Sequence, residues 1–192
     1  SFHVTGVQTC ALPIFLVSSI LLLAACSGTE TRFTLMPPDE TGITFVNRLV
    51  EQDTLNILDN EFVYNGAGVA VGDLNGDGRQ DLFFAGNQSA SKLFLNRGDW
   101  QFEDVTMKAG IQTERWSSGV TLLDINGDGR TDIYICNTLS PNPEKTRNNL
   151  FINQGNDEKG VPAFKDMAKE YGLDDDGQDS SAAFFRSEEH TS

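Results

Sequence analysis

The residues best suited to chemistry in this sequence lie in two short, nearly identical stretches. Residues 73–81 read DLNGDGRQD, and residues 124–132 read DINGDGRTD. In each copy Asp or Asn stands at positions 1, 3, 5 and 9, so side-chain oxygens recur along the stretch. Calcium takes about 6–8 oxygen ligands, and a tightly curled loop of such residues can bring them to one point. The two stretches therefore predict two calcium-binding loops.

Each predicted site draws its ligands from one loop. Position 7 would contribute its backbone carbonyl, which leaves its side chain free to vary. The glycine at position 6 permits a sharp turn because it reaches positive φ without steric cost. The predicted ligands are Asp73, Asn75, Asp77, Arg79 and Asp81 in the first loop, and Asp124, Asn126, Asp128, Arg130 and Asp132 in the second. The alternative interpretation is a pair of Asp-Gly turns that bind no ion.

The residues around the loops predict strands rather than helices. An EF-hand loop carries a bidentate Glu at position 12 between two helices, whereas position 12 here is Phe84 or Ile135. Apolar, β-branched and aromatic runs flank each loop, at 68–72 and 81–85 and again at 119–123 and 132–136. Such runs indicate buried strands, so each loop is the turn of a hairpin. A dockerin-like assembly module also duplicates such loops, but it would need a helix after each one.

The similarity between the two halves continues beyond the loops. The first hairpin is followed by KLFLNRG at 92–98, FEDV at 102–105 and AGI at 109–111, and the second by NLFINQG at 149–155, FKDM at 164–167 and YGL at 171–173. Four strands per unit at a period of about 50 residues are typical of β-propeller blades. An unrelated β-sandwich with two similar hairpins is the alternative.

The repeat predicts an all-β fold made of propeller blades. Each blade has four antiparallel strands with the calcium loop in its first hairpin, and the ring is incomplete. The predicted blades span about 64–114 and 115–175, and a third begins at 181–185. Residues 45–64 are the candidate for a closing or edge strand.

The stretch from Tyr64 to Gly78, YNGAGVAVGDLNGDG, is similar to the FG-GAP/VCBS repeats of integrin-alpha-like propellers. The motifs FEDVT at 102–106, AGI at 109–111, WSSGV at 116–120 and AFF at 183–185 resemble the cartilage-acidic-protein-like group. The resemblance covers about residues 42–185. It implies a calcium-binding propeller that closes into a ring. Many bacterial members of that group are surface lipoproteins with an ASPIC/UnbV domain after the propeller.

The N-terminal part predicts export. Residues 15–25, FLVSSILLLAA, form an apolar core that is too short to span a bilayer, which needs about 20 residues. The core ends in Leu23-Ala24-Ala25-Cys26, which resembles a bacterial lipobox. Residues 15–26 are therefore predicted to be a signal peptide with Cys26 as the lipidation site, and residues 27–41 a short tether. The expected location is the bacterial cell envelope, with the chain lipid-anchored at the outer membrane or the cell surface.

The two ends of the chain resemble translated sequencing-adapter text rather than native protein. Residues 1–14 and 186–192 are therefore set aside from fold reasoning. Both histidines, His3 and His190, lie in these ends. The remaining chain then has no histidine for Ser-His-Asp, Cys-His or His-zinc chemistry.

The net charge of the chain limits the classes of molecule that it can bind. The chain carries a formal net charge of -14, which repels nucleic acid and excludes nucleic acid as a partner.

The sequence favours a non-enzymatic extracellular module that binds calcium and an unknown protein or glycan ligand. The loop Ser140–Arg147 is the candidate ligand surface. The alternative is a polysaccharide-active enzyme on a propeller scaffold. That enzyme would need paired carboxylates at a cleft. The scattered acidic residues form no recognisable pair, and they are Glu51, Asp53, Glu103, Glu114 and Glu144.

Overall fold

The computed structural model describes residues 32–140, 143–177 and 181–183. The chain divides into two compact units, Ser1–Leu35 and Met36–Ser192. Of the first unit only residues 32–35 are described, so the predicted signal peptide, Cys26 and the adapter-like residues 1–14 lie outside the described residues. The adapter-like residues 186–192 lie outside them as well. The architecture below is that of the second unit.

The second unit is built from two four-stranded antiparallel sheets, and in both the spatial order of the strands follows the chain order. The first sheet contains β1 Val69–Gly72, β2 Asp81–Phe84, β3 Lys92–Asn96 and β4 Phe102–Asp104. The second contains β5 Trp116–Leu123, β6 Asp132–Thr138, β7 Asn149–Asn156 and β8 Pro162–Asp166. The all-β prediction of two four-stranded units is confirmed. The dockerin-like alternative is wrong, because strands β2 and β6 follow the loops where it would need helices.

Strand pairing sorts the side chains of the first sheet onto two faces. Val71 lies opposite Leu82, which lies opposite Phe94, so these three share one face. Ala70 lies opposite Phe83 on the other face. Directly opposed residues point to the same side because side chains alternate along a strand. We call the first face the rear face, which carries Val69, Val71, Leu82, Phe84 and Phe94, and the other the front face.

The front face of the first sheet packs against the second sheet. One cluster of buried apolar residues draws on both sheets, including Phe83, Leu93 and Leu95 from the first and Ile133, Ile135 and Phe151 from the second. Two glycines at the ends of β1, Gly68 just before it and Gly72 at its last position, let the sheets approach closely. A Cβ on Gly72 would lie 2.5 Å from Cδ1 of Leu122, and one on Gly68 would lie 2.8 Å from the backbone nitrogen of Val120. Larger residues at these two positions would force the sheets apart.

A second apolar layer covers the opposite face of the second sheet. Its buried residues are Tyr134, Cys136, Leu150, Ile152 and Ala168, against which Leu173 and Ala182 pack. The Tyr134 hydroxyl donates a hydrogen bond to the Leu173 carbonyl at 3.1 Å. The second sheet therefore carries apolar side chains on both faces, as a sheet in a stacked series requires.

Three short helices lie in the connections: α1 Pro38–Thr41, α2 Pro143–Thr146 and α3 Ala168–Tyr171. Helix α1 lies in the range predicted as a tether, and α2 lies in the polar loop between β6 and β7. Residues 45–64, the candidate edge strand, form turns and one isolated bridge between Gln52 and Leu55, so that prediction is wrong. Within the described residues, no helix has the length and apolar character needed to cross a membrane.

The buried layer between the sheets sets the stability of the second unit. We expect Phe83→Ala to lower its free energy of unfolding by about 3–5 kcal/mol, because Phe83 is 0% exposed and its loss leaves a cavity between the sheets. Urea denaturation followed by circular dichroism measures this change. The control is Met107→Ala, because Met107 is 71% exposed and its loss should alter stability by under about 0.5 kcal/mol. Equal losses in the two variants would contradict the packing described here.

Candidate metal centres

The carboxylate at position 1 of the first loop holds the loop's own backbone. One oxygen of Asp73 accepts the N–H of Gly76 at 2.7 Å and that of Asp77 at 3.1 Å. The other accepts the N–H of Gly78 at 2.8 Å. Gly76 and Gly78 have φ values of 74° and 83°, in the left-handed region that glycine enters without strain. The loop is therefore curled around the Asp73 carboxylate.

The carboxylate at position 5 is engaged by an arginine. Asp77 accepts the Arg79 guanidinium at 2.6 Å and the Asn75 side-chain amide at 2.9 Å. It also accepts the backbone N–H of Arg79 at 2.9 Å. Burial disfavours the ionised form of Asp77, but the Arg79 backbone, the Asn75 amide and the Arg79 charge together outweigh it and lower its pKa. Asp77 is thus a stable anion whose oxygens already have partners.

The carboxylate at position 9 joins the loop to the sheet behind it. Asp81 is 0% exposed. One of its oxygens accepts the N–H of Leu74 at 2.9 Å, and the other accepts the N–H of Asn96 at 2.8 Å. The side chain therefore connects the start of the loop to the end of β3.

Burial and neighbouring negative charges disfavour the ionised form of Asp81. Burial raises its pKa, and the hydrogen bonds from the Asn96 and Leu74 backbones oppose that rise. The nearby carboxylates of Asp77 and Asp73 raise the pKa further, because like charges disfavour ionisation. A cation among these three carboxylates would offset that repulsion.

The second loop repeats these contacts atom for atom. Asp124 accepts the N–H groups of Gly127, Asp128 and Gly129 at 2.8, 3.1 and 2.9 Å. Asp128 accepts the Arg130 guanidinium at 2.6 Å, and its pKa is lowered chiefly by the Arg130 backbone N–H. Asp132 accepts the N–H of Ile125 at 3.1 Å and that of Asn153 at 2.8 Å. Burial raises the pKa of Asp132, as it does for Asp81.

The two loops differ in what covers them. The first packs against the second sheet, where the Asn153 amide donates to the Leu74 carbonyl at 2.9 Å and the Asn156 amide to the Asn75 carbonyl at 2.6 Å. Leu74 is only 1% exposed. In the second loop Asn126 is exposed. The first loop is therefore held from both sheets.

The loops offer the oxygen ligands that calcium prefers, but these oxygens are not arranged around a common point. All the predicted side-chain ligands offer oxygen, which a hard cation prefers. However, no three acidic, histidine or cysteine side chains in the described part of the chain are grouped as metal ligands. Asp77 and Asp128 bind arginine, while Asp81 and Asp132 bind backbone N–H groups. An ion would have to replace some of these hydrogen bonds.

The predicted ligands lie in the two hairpin loops, and their role as metal ligands stays a prediction. Arg79 and Arg130 were expected to pair with acidic neighbours at the surface, and each does bind the position 5 carboxylate of its loop. The sequence did not predict that each also donates from Nε to the carbonyl of an asparagine, Asn96 at 2.8 Å or Asn153 at 3.0 Å. That asparagine ends the Leu-Phe-aliphatic-Asn strand of its repeat. The asparagine recurs in both repeats, and this recurrence could have indicated that it contacts the loop.

Comparison with known proteins agrees with this repeat. A model of the FG-GAP-like repeat family matches residues 73–135, which include both loops and the first part of β6. Cartilage acidic protein 1 of Xenopus tropicalis is 31% identical over 104 residues, which are 54% of this chain and 15% of that protein. The protein of the same name from Homo sapiens is 36% identical over 77 residues, which are 40% of this chain and 12% of that protein.

The chain thus spans less than a sixth of the length of these relatives. The matched region covers the first loop, the second loop and strands of both sheets. The family match therefore falls on the same part of the chain as the duplicated loops and the two four-stranded sheets. Residues 73–135 thus match the FG-GAP-like repeat family, and part of the chain is similar to cartilage acidic protein 1.

Proposed function

We propose that the second unit is a non-enzymatic, extracellular binding module in which each Asp loop holds one calcium ion. The observation that carries the proposal is the duplication of the loop network, in which Asp73 and Asp124, Asp77 and Asp128, and Asp81 and Asp132 make the same contacts. A turn that served only to join two strands would not need three carboxylates that repel one another.

The ligands in the first loop would be Asp73, Asn75, Asp77, the Arg79 carbonyl and Asp81, with the counterparts at 124–132 in the second. When bound, calcium supplies positive charge where each loop concentrates negative charge. The chain's own residues position the oxygens: the left-handed glycines curl the loop, and position 9 fixes it to the sheet. The proposed role of the ion is therefore structural.

The proposed ligand surface lies at the end of the sheets away from the Asp loops. A cavity of about 710 Å³ opens there, and Gln52, Trp116, Leu139 and Ser140 contribute to its lining. Its mixture of amide, hydroxyl, aliphatic and aromatic groups suits a protein or glycan surface. The candidate loop 140–147 borders this cavity and contains helix α2.

The cellular setting proposed for this module is the bacterial envelope. It rests on the lipobox-like sequence that ends at Cys26, and through it the chain would be anchored to a membrane by acyl chains. We propose no catalytic step, because the acidic side chains at the loops are engaged in loop and sheet contacts and the family is one of repeat modules.

Calcium should raise the thermal stability of the second unit. At a free calcium concentration 100-fold above the dissociation constant, binding to the folded state alone would add about 2.7 kcal/mol per site. Differential scanning calorimetry in about 10 mM calcium measures the shift, since this concentration is 100-fold above a dissociation constant of about 0.1 mM, the tighter end of the range for extracellular modules. Magnesium at the same ionic strength is the control, because any divalent cation screens a chain of net charge -14. Equal shifts with both ions would contradict specific calcium sites.

Removing one position 5 carboxylate should remove one ion. We expect Asp77→Ala and Asp128→Ala each to reduce the stoichiometry in isothermal titration from about two ions to about one. In chelator both variants should stay folded, because Asp77 and Asp128 make partly exposed ion pairs, which contribute little to stability. The matched control is Glu158→Ala, which removes an exposed carboxylate outside the loops. Unchanged stoichiometry in both Asp variants would refute the assignment.

The arginines at position 7 should compete with the ion. Because Arg79 and Arg130 engage the position 5 carboxylates, Arg79→Ala or Arg130→Ala should tighten calcium binding at the altered loop by up to about fivefold. The backbone carbonyl at position 7 is retained in both variants. Isothermal titration measures the affinity, with Arg97→Ala as the control because Arg97 pairs with Glu103 outside the loops. Weaker binding would mean that the arginine supports the loop rather than competing for its carboxylate.

A further inference from the structure

A cavity of about 370 Å³ lies beside the start of β7 and the end of β8, at the opposite end of the second sheet from its Asp loop. Most of the side chains that line it are charged. Three are basic and three are acidic: Arg115, Arg147, Lys169, Asp166, Glu170 and Asp174. The chain as a whole has 14 basic and 28 acidic residues. Basic residues are therefore concentrated at this cavity relative to the rest of the chain.

The guanidinium of Arg115 is held in place with one edge free. Its Nη1 donates to the backbone carbonyls of Arg147 at 2.7 Å and Asn148 at 3.4 Å. Arg115 is half-buried and makes no ion pair with a carboxylate in the described part of the chain. The edge formed by Nε and Nη2 can therefore receive both oxygens of a carboxylate, which is the geometry in which a guanidinium binds that group most strongly.

The charged groups of the cavity differ in how far they are already engaged. Asp174 accepts the Arg147 guanidinium at 2.9 Å, so these two charges offset each other. The side chains of Glu170 and Lys169 form no hydrogen bond or ion pair with any described residue. A ligand would therefore meet Arg115 and Lys169 as donors and Glu170 as an acceptor.

Asp166 belongs to the framework of the repeat rather than to the free groups. It accepts the N–H groups of Leu150 and Ala168, both at 3.2 Å. Its counterpart in the first unit, Asp104, accepts the N–H of Thr106 at 3.0 Å in the same way. Because this contact recurs in both units, the Asp166 carboxylate is already used by the backbone of its own sheet.

A buried network of asparagines forms the wall behind the cavity. Asn148 is 1% exposed, and its side chain accepts the N–H of Asn137 at 2.8 Å and donates to the Tyr134 hydroxyl at 2.9 Å. The Asn137 amide donates to Asn149 at 2.8 Å, and the Asn149 amide donates to Asp166 at 2.6 Å. A buried network whose members are satisfied is rigid. The cavity therefore keeps its shape before a ligand arrives, which lowers the entropic cost of binding.

The first unit shows that the repeat does not require these basic residues. The alignment of the two units places Ala90 at the position of Arg147 and Met107 at the position of Lys169. Met107 is 71% exposed although the second sheet packs against the first. A lysine at this position therefore stays open to a ligand when a neighbouring sheet is present.

The size and lining of the cavity select the class of ligand. Its volume of about 370 Å³ lies at the lower end of the usual range for small-molecule pockets, about 300–1,000 Å³, and leaves room for one sugar residue. Ala168 is the only apolar residue among the described residues in its lining, so an apolar group would gain little there. A ligand with one carboxylate and several hydroxyls would satisfy Arg115, Lys169 and Glu170 together.

We propose that this cavity binds a sugar that carries a carboxylate, such as a uronic acid residue. The carboxylate of the sugar pairs with the free edge of Arg115 and with Lys169, and a hydroxyl donates to Glu170. The site goes beyond the proposed ligand surface, which it adjoins at Arg115 because that residue lines both cavities. It does not depend on calcium.

The probes that test this site are galacturonate and galactose, which differ by a carboxylate in place of a hydroxymethyl group. Each is titrated into the full chain and followed by two-dimensional NMR, in chelator so that calcium cannot bridge the sugar to the Asp loops. We expect galacturonate to bind at least about tenfold more tightly than galactose, because hydrogen bonds to charged groups are the stronger ones. Glutamate is the third probe. If glutamate binds more tightly than galacturonate, the cavity takes an amino acid and the sugar assignment is wrong.

Three variants test whether the charged groups of the cavity bind the carboxylate. Arg115→Gln should weaken galacturonate binding at least about tenfold. Glu170→Gln removes a negative charge beside the ligand but keeps an acceptor, so it should tighten binding by up to about fivefold. Damage to the fold would not tighten binding. Lys159→Gln is the matched control, because it removes an exposed positive charge from the turn at the other end of β7 and β8 and should leave the affinity unchanged.

Two results would overturn the site. One is equal affinity for galacturonate and galactose, and the other is an affinity for galacturonate that is the same in Arg115→Gln as in the parent chain. Calcium stabilisation measured on the same preparation separates this site from the proposed function. A chain that calcium stabilises but that does not bind galacturonate refutes the sugar site alone, whereas a chain that binds galacturonate without a calcium shift supports the sugar site and refutes the metal sites.

Discussion

A buried carboxylate at position 9 of each Asp loop is the constraint on which the described fold depends. Asp81 and Asp132 are both 0% exposed and each accepts two backbone N–H groups, one from the loop and one from the third strand of the same sheet. Burying a carboxylate is unfavourable unless hydrogen bonds compensate it. Here the compensation comes from backbone groups whose positions then fix the loop relative to the strand. The same side chain therefore sets both the hairpin turn and the path of the chain to β3 or β7.

The sheet junction depends on a different feature, the alternation of small and large residues along the first strand of each unit. Gly68, just before β1, and Gly72, at its end, receive Val120 and Leu122 from β5. The second sheet has Leu123 at the position of Gly72, so a sheet packed against it would meet a larger side chain. The repeat therefore conserves the loop chemistry while varying the shape of the contact surface. A sheet that fits against Gly72 would therefore not fit against Leu123 without repacking, since packed interiors tolerate little change in volume.

The strands and loops could be predicted from the sequence because their signals are local. Apolar runs such as 81–85 beside an Asp-Gly turn determine a hairpin without reference to the rest of the chain. The contacts that hold the first loop could not be predicted in this way, because Asn153 and Leu74 are 79 residues apart in sequence. Helix α2 was missed since Pro141 and Pro143 suggested a loop, although proline is well tolerated in the first turn of a helix. The contact of Arg79 with the Asn96 carbonyl was missed because pattern alone does not show that the end of β3 lies beside the loop.

The unequal surroundings of the two loops have a consequence for any ion they hold. In the first loop the carbonyls of Leu74 and Asn75 are fixed by amides from β7, so the backbone of that loop cannot shift without disturbing the sheet junction. In the second loop Asn126 is exposed, and the backbone is held mainly by its own unit. A loop whose shape is fixed before binding loses less conformational entropy when the ligand arrives. If the loops bind metal as proposed, binding in the first loop and packing between the sheets would stabilise each other, whereas an ion in the second loop would act chiefly on a single sheet.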